Sequence, residues 1–91
     1  MRASYLPAVV EAKYVSDYLL DVTFDDGTRK VIDFSHWLKG PVFKPLRDKA
    51  YFKKFFIMST TVSWPNGADI APETLYAAED VKKRRRTVSK R

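Results

Sequence analysis

The sequence predicts a small single domain of the α+β class: a mostly antiparallel sheet of about five short strands, including two hairpins, with two or three short helices. Apolar and polar residues alternate between residues 18 and 24, which is typical of a strand with one buried face. Asp-Gly and Asn-Gly pairs, at 26–27 and 66–67, indicate tight turns. Capping residues and prolines between the apolar segments indicate helices of only a turn or two.

The first half of the chain is predicted to form three strands. Residues from Leu6 to about Val15 are rich in strand-forming side chains, and a turn follows them. In residues 18–24 the alternate positions are tyrosine, leucine, valine and phenylalanine, which form one buried face. Residues 25–27 then make a hairpin turn with glycine at the position that needs a positive φ, and residues 28–34 return as the third strand.

The second half is predicted to form short helices followed by a second hairpin. Residues 35–38 fit one helical turn, with Ser35 or Asp33 as its N-cap, ended by Gly40 and Pro41. Asp48 is expected to cap a helix over residues 49–54. Residues 55–59 and 61–64 fit a fourth and a fifth strand, and the short link between them predicts an antiparallel pair.

Residues 61–76 make the most specific stretch, which reads as strand, turn and short helix. Pro65 ends the strand, Asn66 and Gly67 both tolerate a positive φ, and Asp69 is a candidate cap for the free N–H groups of the turn. Pro72 fits the first turn of a helix. Two interpretations follow. Trp64, Asn66 and Asp69 could line a recognition surface, or they could build a rigid corner; we favour the corner, since each residue type there has a role in fixing the backbone.

Composition places the chain among folded globular proteins. The 91 residues are 45% hydrophobic and 14% aromatic, and none is cysteine. Disulfides and thiolate metal sites are therefore excluded, and a reducing compartment fits, so we expect a cytoplasmic protein. No signal peptide is recognisable, and no apolar run approaches the roughly 18 residues of a membrane span.

The net charge of +6 comes from the C-terminus. Seven of the last ten residues are basic and none is acidic, whereas residues 1–81 hold ten basic and eleven acidic residues. We therefore expect a domain over 1–81 and a disordered basic tail over 82–91. The tail could contact the phosphates of DNA or RNA without sequence preference, could fold onto an acidic protein, or could be a solvated terminus. The candidate nucleic-acid contacts are Lys82, Lys83, Arg84, Arg85 and Arg86.

No set of residues in the sequence predicts catalysis. Asp33, Ser35 and the single histidine, His36, are the residue types of a hydrolytic triad, but a triad is assembled from separate parts of a chain, and this local cluster is more typical of a helix start. One histidine without cysteine cannot make a nitrogen–sulfur metal site, and the glycines lie in separate turns rather than in a phosphate-binding loop. We expect no catalytic residue, metal or cofactor, and hence no enzyme.

Three segments together resemble a bacterial family, the domain-of-unknown-function family 2442. They are the strand and turn at 18–27 with Ile-Asp-Phe at 32–34, the spaced residues Phe43, Leu46, Asp48 and Phe52, and the motif Trp-Pro-Asn-Gly-Ala-Asp-Ile-Ala-Pro-Glu-Thr-Leu-Tyr at 64–76. The resemblance covers about residues 6–78. It implies a small prokaryotic α+β domain, sometimes fused to a helix-turn-helix domain, whose gene often lies beside that of a second small protein, as in a toxin–antitoxin pair. It implies no catalytic residue.

The leading hypothesis is a non-enzymatic bacterial interaction module, regulatory or antitoxin-like, that binds a second small protein. Aromatic side chains dominate binding hot spots, so the candidate partner surface consists of Trp37, Phe56 and Trp64, together with Asn66 and Asp69. The alternative is a nucleic-acid-binding protein that acts through its tail. A hydrolase that uses His36 is a third possibility, and an unpaired sheet edge could also support a homo-oligomer.

Overall fold

The computed structural model describes residues 6–81 and confirms the α+β class, with five strands and three short α-helices. The strands are β1 (Val9–Ser16), β2 (Leu19–Phe24), β3 (Arg29–Asp33), β4 (Phe56–Met58) and β5 (Thr61–Ser63). The helices are α1 (Gly40–Phe43), α2 (Lys49–Phe52) and α3 (Pro72–Ala77), and 3-10 turns cover Ser35–Trp37 and Lys44–Arg47. The predicted basic tail, 82–91, lies outside the described residues.

The strands form two antiparallel sheets rather than one. The first has the order β1-β2-β3 and the second pairs β4 with β5. Within residues 6–81, the one backbone hydrogen bond between the sheets runs from the Val9 N–H to the Thr60 carbonyl, at 2.9 Å. β4 and β5 are only three residues long, and neither forms a ladder with β1.

The β2–β3 hairpin and the buried face of β2 are those that the sequence predicted, and the structure adds the register. Leu20 lies opposite Ile32, and Val22 opposite Lys30. Leu20, Val22 and Phe24 are buried, whereas the alternate positions on β2 are half-buried. The period of two therefore located this strand and its inner face correctly.

Two turns of the molecule have the same construction: Phe24–Thr28 and Trp64–Ala68. In each, the glycine N–H donates to the carbonyl three residues earlier, at 3.0 Å in the first turn and 2.9 Å in the second. The first residue of each turn, Phe24 or Trp64, also donates its own N–H to the carbonyl of the residue four positions later, at 2.8 and 2.9 Å. The glycines have φ of +91° and +90°, the geometry of a type I turn closed by a glycine bulge.

The side-chain cap of the second turn is Asn66 and not Asp69, which corrects the expectation from the sequence. Asn66 Oδ1 accepts the Ala68 N–H at 3.1 Å, as Asp26 Oδ1 accepts the Thr28 N–H at 2.9 Å. Asn66 also has a negative φ, so that only the glycine of the pair adopts the left-handed conformation. An amide or carboxylate at position 66 can accept the backbone N–H two residues later. Asp69 follows the turn, and its backbone pairs with Ser63.

The helix boundaries follow local capping. The N-cap of the first helical turn is Phe34, without a side-chain capping bond, so the prediction of Ser35 or Asp33 as N-cap is wrong. The Asp33 Oδ1 accepts the Ser35 N–H at 2.9 Å, which fixes the chain where the turn begins. Asp48 caps α2 by accepting the Ala50 N–H at 3.0 Å, although α2 ends two residues before the predicted end. Pro72 occupies the start of α3 after an extended Ala71, as predicted.

The core is centred on three aromatic rings from three separate segments. Phe34, Phe52 and Trp64 are buried and lie 5.7–6.0 Å apart between ring centroids. The Trp64 indole Nε1–H donates to the Phe52 carbonyl at 2.8 Å. This cluster joins the end of β3, the end of α2 and the end of β5, so it holds the two sheets and the helical segment together.

Candidate protein-interaction surface

Trp64 cannot serve as a surface contact, although the sequence suggested it as one. Its side chain is 1% exposed and its indole N–H is bonded inside the protein. The rigid-corner interpretation is therefore correct for this residue. A tryptophan has a large apolar area and a single donor, and a core accommodates both when the donor meets an acceptor, here the Phe52 carbonyl.

The other predicted surface residues lie in different surroundings and do not make one surface with Trp64. Trp37 is half-buried, with its ring 5.2 Å from that of Phe34. Asn66 is exposed, but its Nδ2 donates to the Val42 carbonyl at 2.9 Å and so fastens the turn to α1. Asp69 is exposed, and its backbone pairs with Ser63.

Phe56 is the predicted residue that does present an apolar side chain to solvent. It lies on β4 and is 39% exposed. The two residues that follow it, Ile57 and Met58, are 36% and 58% exposed, and the sequence analysis did not single them out. The apolar run at 55–58 was visible, but a run of this kind predicts a buried strand as readily as an exposed one.

β4 is an edge strand with no ladder partner on its outer side among residues 6–81. Two of the other sheet edges are covered by the C-terminal part of the chain. On β3, the Val31 N–H donates to Asp80 Oδ1 at 3.2 Å, and Lys30 Nζ donates to the Ala78 carbonyl at 3.0 Å and to the Tyr76 carbonyl. On β5, the backbone of Ser63 pairs with Asp69.

The outer side of β1 is also largely uncovered. Within the described chain it has the single hydrogen bond of Val9, and Val10 and Val15 are 57% and 48% exposed. Both valines lie where the register of β1 shifts against β2, which turns their side chains away from the core. β1 packs near β4, so the exposed apolar side chains of Val10, Val15, Phe56, Ile57 and Met58 belong to two neighbouring edge strands. We call these five residues the open-edge surface.

Charge is unevenly distributed over the described chain. Residues 39–54 hold six basic residues and one acidic residue, whereas residues 6–38 and 55–81 together hold three basic and ten acidic residues. All six basic side chains of 39–54 are exposed. One of them, Lys49, forms an ion pair with Asp17 at 3.0 Å, and this bond raises the pKa of Lys49. The net charge of residues 1–81 is close to zero, so it does not reveal this basic segment.

His36 lines an open cleft of about 200 Å³ at the end of β3. Asp33 and Glu79 line the same cleft, and so do Ile32, Trp37, Ala78 and Val81. Asp33 is engaged by the Ser35 N–H, and within residues 6–81 no hydrogen bond or ion pair joins His36 to a carboxylate. The nearest ring to His36 is Trp37, at 4.4 Å between centroids. The arrangement of Asp33, Ser35 and His36 is thus that of a helical turn and not of a catalytic triad.

The part of the chain that the structure describes contains no group of three or more histidine, cysteine or acidic side chains that could hold a metal ion. No helix there has both the length and the apolar character needed to cross a membrane. The candidate nucleic-acid contacts Lys82, Lys83, Arg84, Arg85 and Arg86 fall outside the described residues.

Comparison with known proteins identifies the family. No curated protein and no solved structure matches the chain. A family model described as "Protein of unknown function (DUF2442)" matches residues 9–80. That range begins with the first residue of β1 and includes all five strands and the three helices. The resemblance found in the sequence is therefore confirmed, and the chain belongs to the DUF2442 family.

Proposed function

We propose that this protein is a non-enzymatic interaction module that binds a second small protein, as the regulatory or antitoxin-like half of a pair. The observation that carries the proposal is the exposure of Phe56, Ile57 and Met58 on an edge strand. Exposed β-strand edges pair readily with other chains, and natural proteins usually protect them with charge, proline or a covering segment.

The protection of the other edges supports this choice of surface. The edges of β3 and β5 are closed by residues 69–80, whereas β4 has three consecutive apolar side chains and, among residues 6–81, no ladder partner other than β5, although β1 packs nearby. Strand addition would supply backbone hydrogen bonds, and the apolar side chains would supply buried area. The small size of the exposed patch fits a partner that contributes one strand rather than a large flat interface.

The proposal is tested by purifying the tagged full-length protein from its native cells and identifying its partner by mass spectrometry. We expect the double variant Ile57→Thr/Met58→Thr to lose that partner, since threonine keeps the strand preference but removes apolar area. Val42→Thr is the matched control, because Val42 is 51% exposed but lies on α1. A protein that purifies alone under all conditions, or a partner retained by the double variant, would contradict the proposal.

A second candidate function is nucleic-acid binding through the tail, favoured by the seven basic residues among the last ten. Such binding would be electrostatic and steeply dependent on salt, with a slope of about −0.9 per phosphate contact on duplex DNA. Replacing Lys82, Lys83, Arg84, Arg85 and Arg86 together by glutamine should abolish binding to DNA and RNA duplexes in a fluorescence-anisotropy titration. Binding that survives these substitutions, or that is absent at low salt in the unaltered protein, would dismiss this function.

A further inference from the structure

The open-edge surface is bordered by positive charge. Lys53 and Lys54 follow α2 directly and precede Phe56 by three and two residues, and both side chains are exposed. Lys53 Nζ lies over the ring of Tyr14 on β1, 4.9 Å from its centroid. The lysine pair therefore lies at the start of β4, and one of its ammonium groups reaches β1.

The positive charge of this pair is not balanced by an ion pair within the described chain. The three ion pairs within residues 6–81 involve Lys13, Arg29 and Lys49, so neither Lys53 nor Lys54 takes part in one. They also belong to the basic segment 39–54, with six basic residues and one acidic residue. The region around the start of β4 thus combines exposed apolar side chains with uncompensated positive charge.

We infer that the segment bound at β4 is an extended strand of a partner protein in which apolar and acidic residues alternate. This inference rests on the proposed function and specifies the chemistry of the partner. An added strand runs roughly 4.8 Å from β4. Its apolar face can cover Ile57 or Met58, while its carboxylates lie within reach of the two lysines. Electrostatic attraction of this kind chiefly speeds association and selects among partners.

Two other occupants fit the same surface less well. A second copy of this chain paired through β4 would bring another Lys53 and Lys54, and its own β4, Phe56–Met58, has no carboxylate to meet them. A nucleic acid would match the lysines through its phosphates, but it would leave the apolar side chains of β4 without apolar contacts. Only a strand with both apolar and acidic side chains satisfies both features.

The test uses the full-length, ¹⁵N-labelled protein and a synthetic peptide of about ten residues that alternates glutamate and valine, long enough to span β4 and the lysine pair. The matched control peptide alternates lysine and valine. We expect the glutamate peptide to shift the amide resonances of Phe56, Ile57 and Met58 and to bind at least tenfold more tightly than the lysine peptide. The variant K53E/K54E should reverse this preference. K39E/K44E makes the same change in net charge elsewhere on the basic segment and should alter the affinity less than threefold.

Several outcomes would overturn the inference. It fails if the two peptides bind equally, if neither shifts the resonances of β4, or if K39E/K44E has the same effect as K53E/K54E. It also fails if a DNA duplex shifts the same amides, or if light scattering detects a dimer that Ile57→Thr/Met58→Thr dissociates. The proposed function has a separate readout: a native partner that is lost in Ile57→Thr/Met58→Thr but kept in K53E/K54E would uphold the function while refuting the acidic strand.

Discussion

Single side chains in this protein connect segments that are far apart in the sequence. The Trp64 indole bonds the Phe52 carbonyl, the Tyr76 hydroxyl bonds Asp26, and the Lys30 ammonium group bonds carbonyls at the end of α3. The sequence analysis placed Trp64 and Tyr76 in the most specific stretch of the chain, residues 61–76. They could not predict the partners, because each bond joins positions that only the folded backbone brings together.

Replacing Trp64 by phenylalanine should destabilise the protein by about 2–4 kcal/mol. The variant removes the donor from the buried Phe52 carbonyl and leaves a cavity where the second ring was. Urea unfolding followed by circular dichroism measures the loss. Trp37→Phe is the control, since Trp37 is half-buried, and it should cost about 1 kcal/mol or less. Equal losses in the two variants would show that Trp64 has no special place in the core.

Tyr76→Phe should destabilise the protein more at neutral pH than in acid. The Tyr76 hydroxyl donates to Asp26 Oδ2 at 2.6 Å, and this bond, followed by that from Thr28, lowers the pKa of Asp26. The stabilisation that comes with a lowered carboxyl pKa is complete above the unfolded value of about 3.9 and is lost as the pH falls through the folded pKa.

Two measurements test this pH dependence. The pKa of the Asp26 carboxyl, followed by NMR, should rise toward its ordinary value in the phenylalanine variant. The difference in unfolding free energy between the two proteins should shrink from pH 7 to pH 2. A difference that does not change with pH would mean that the hydroxyl acts on something other than the ionised carboxylate.

The hairpins are the elements that local sequence determined best. Alternation located β2, the Asp-Gly turn located β3 as its returning partner, and the glycines located both turns, because strand faces and turn geometry depend mainly on neighbouring residues. The division into two sheets could not be predicted in this way, since it depends on how the short strands β4 and β5 lie against β1. The exposure of β4 could not be predicted either, because an edge strand and a central strand can share one apolar sequence.

Gly27→Ala and Gly67→Ala should each cost about 1–2 kcal/mol. Both glycines have a φ near +90° and no atom within 4 Å of the position that a Cβ would occupy, so the loss arises from backbone strain and not from a clash. Thermal unfolding of the two variants should give similar losses. A loss of stability much larger in one variant than in the other would mean that the two turns differ in their structural surroundings as well as in sequence.

At the level of the whole molecule, the uncovered edge of β4 and an excess of positive charge occur in the same region of the protein. Residues 69–80 close β3 and β5, while within residues 6–81 the outer sides of β1 and β4 have no further ladder partner, and a basic segment precedes β4. The sequence contained every one of these charges. Only the fold shows that the lysines at 53–54 adjoin an exposed strand.

Lys30→Met should lower the free energy of unfolding by about 1–2 kcal/mol. The carbonyls at the end of α3 lose a charged donor, and residues 76–80 are then held less firmly against the edge of β3. Removing residues 82–91 should cost less and should leave a single cooperative unfolding transition, if the domain ends at 81. Guanidinium unfolding of the two variants makes the comparison. Hydrogen exchange at Val31 should speed up in Lys30→Met, and an unchanged rate would show that the edge is held without the lysine.

The closure of β3 by residues 76–80 has a consequence for synthesis on the ribosome. β1, β2 and β3 emerge first, but the groups that cap the β3 margin of their sheet are translated 46 to 49 residues after the residues they bind. Until then the margin of β3 is unpaired, and unpaired margins invite association between neighbouring chains on a polysome. Translation of residues 76–80 therefore removes this hazard, whereas the outer margin of β4, for which we propose a partner, has no ladder partner within residues 6–81.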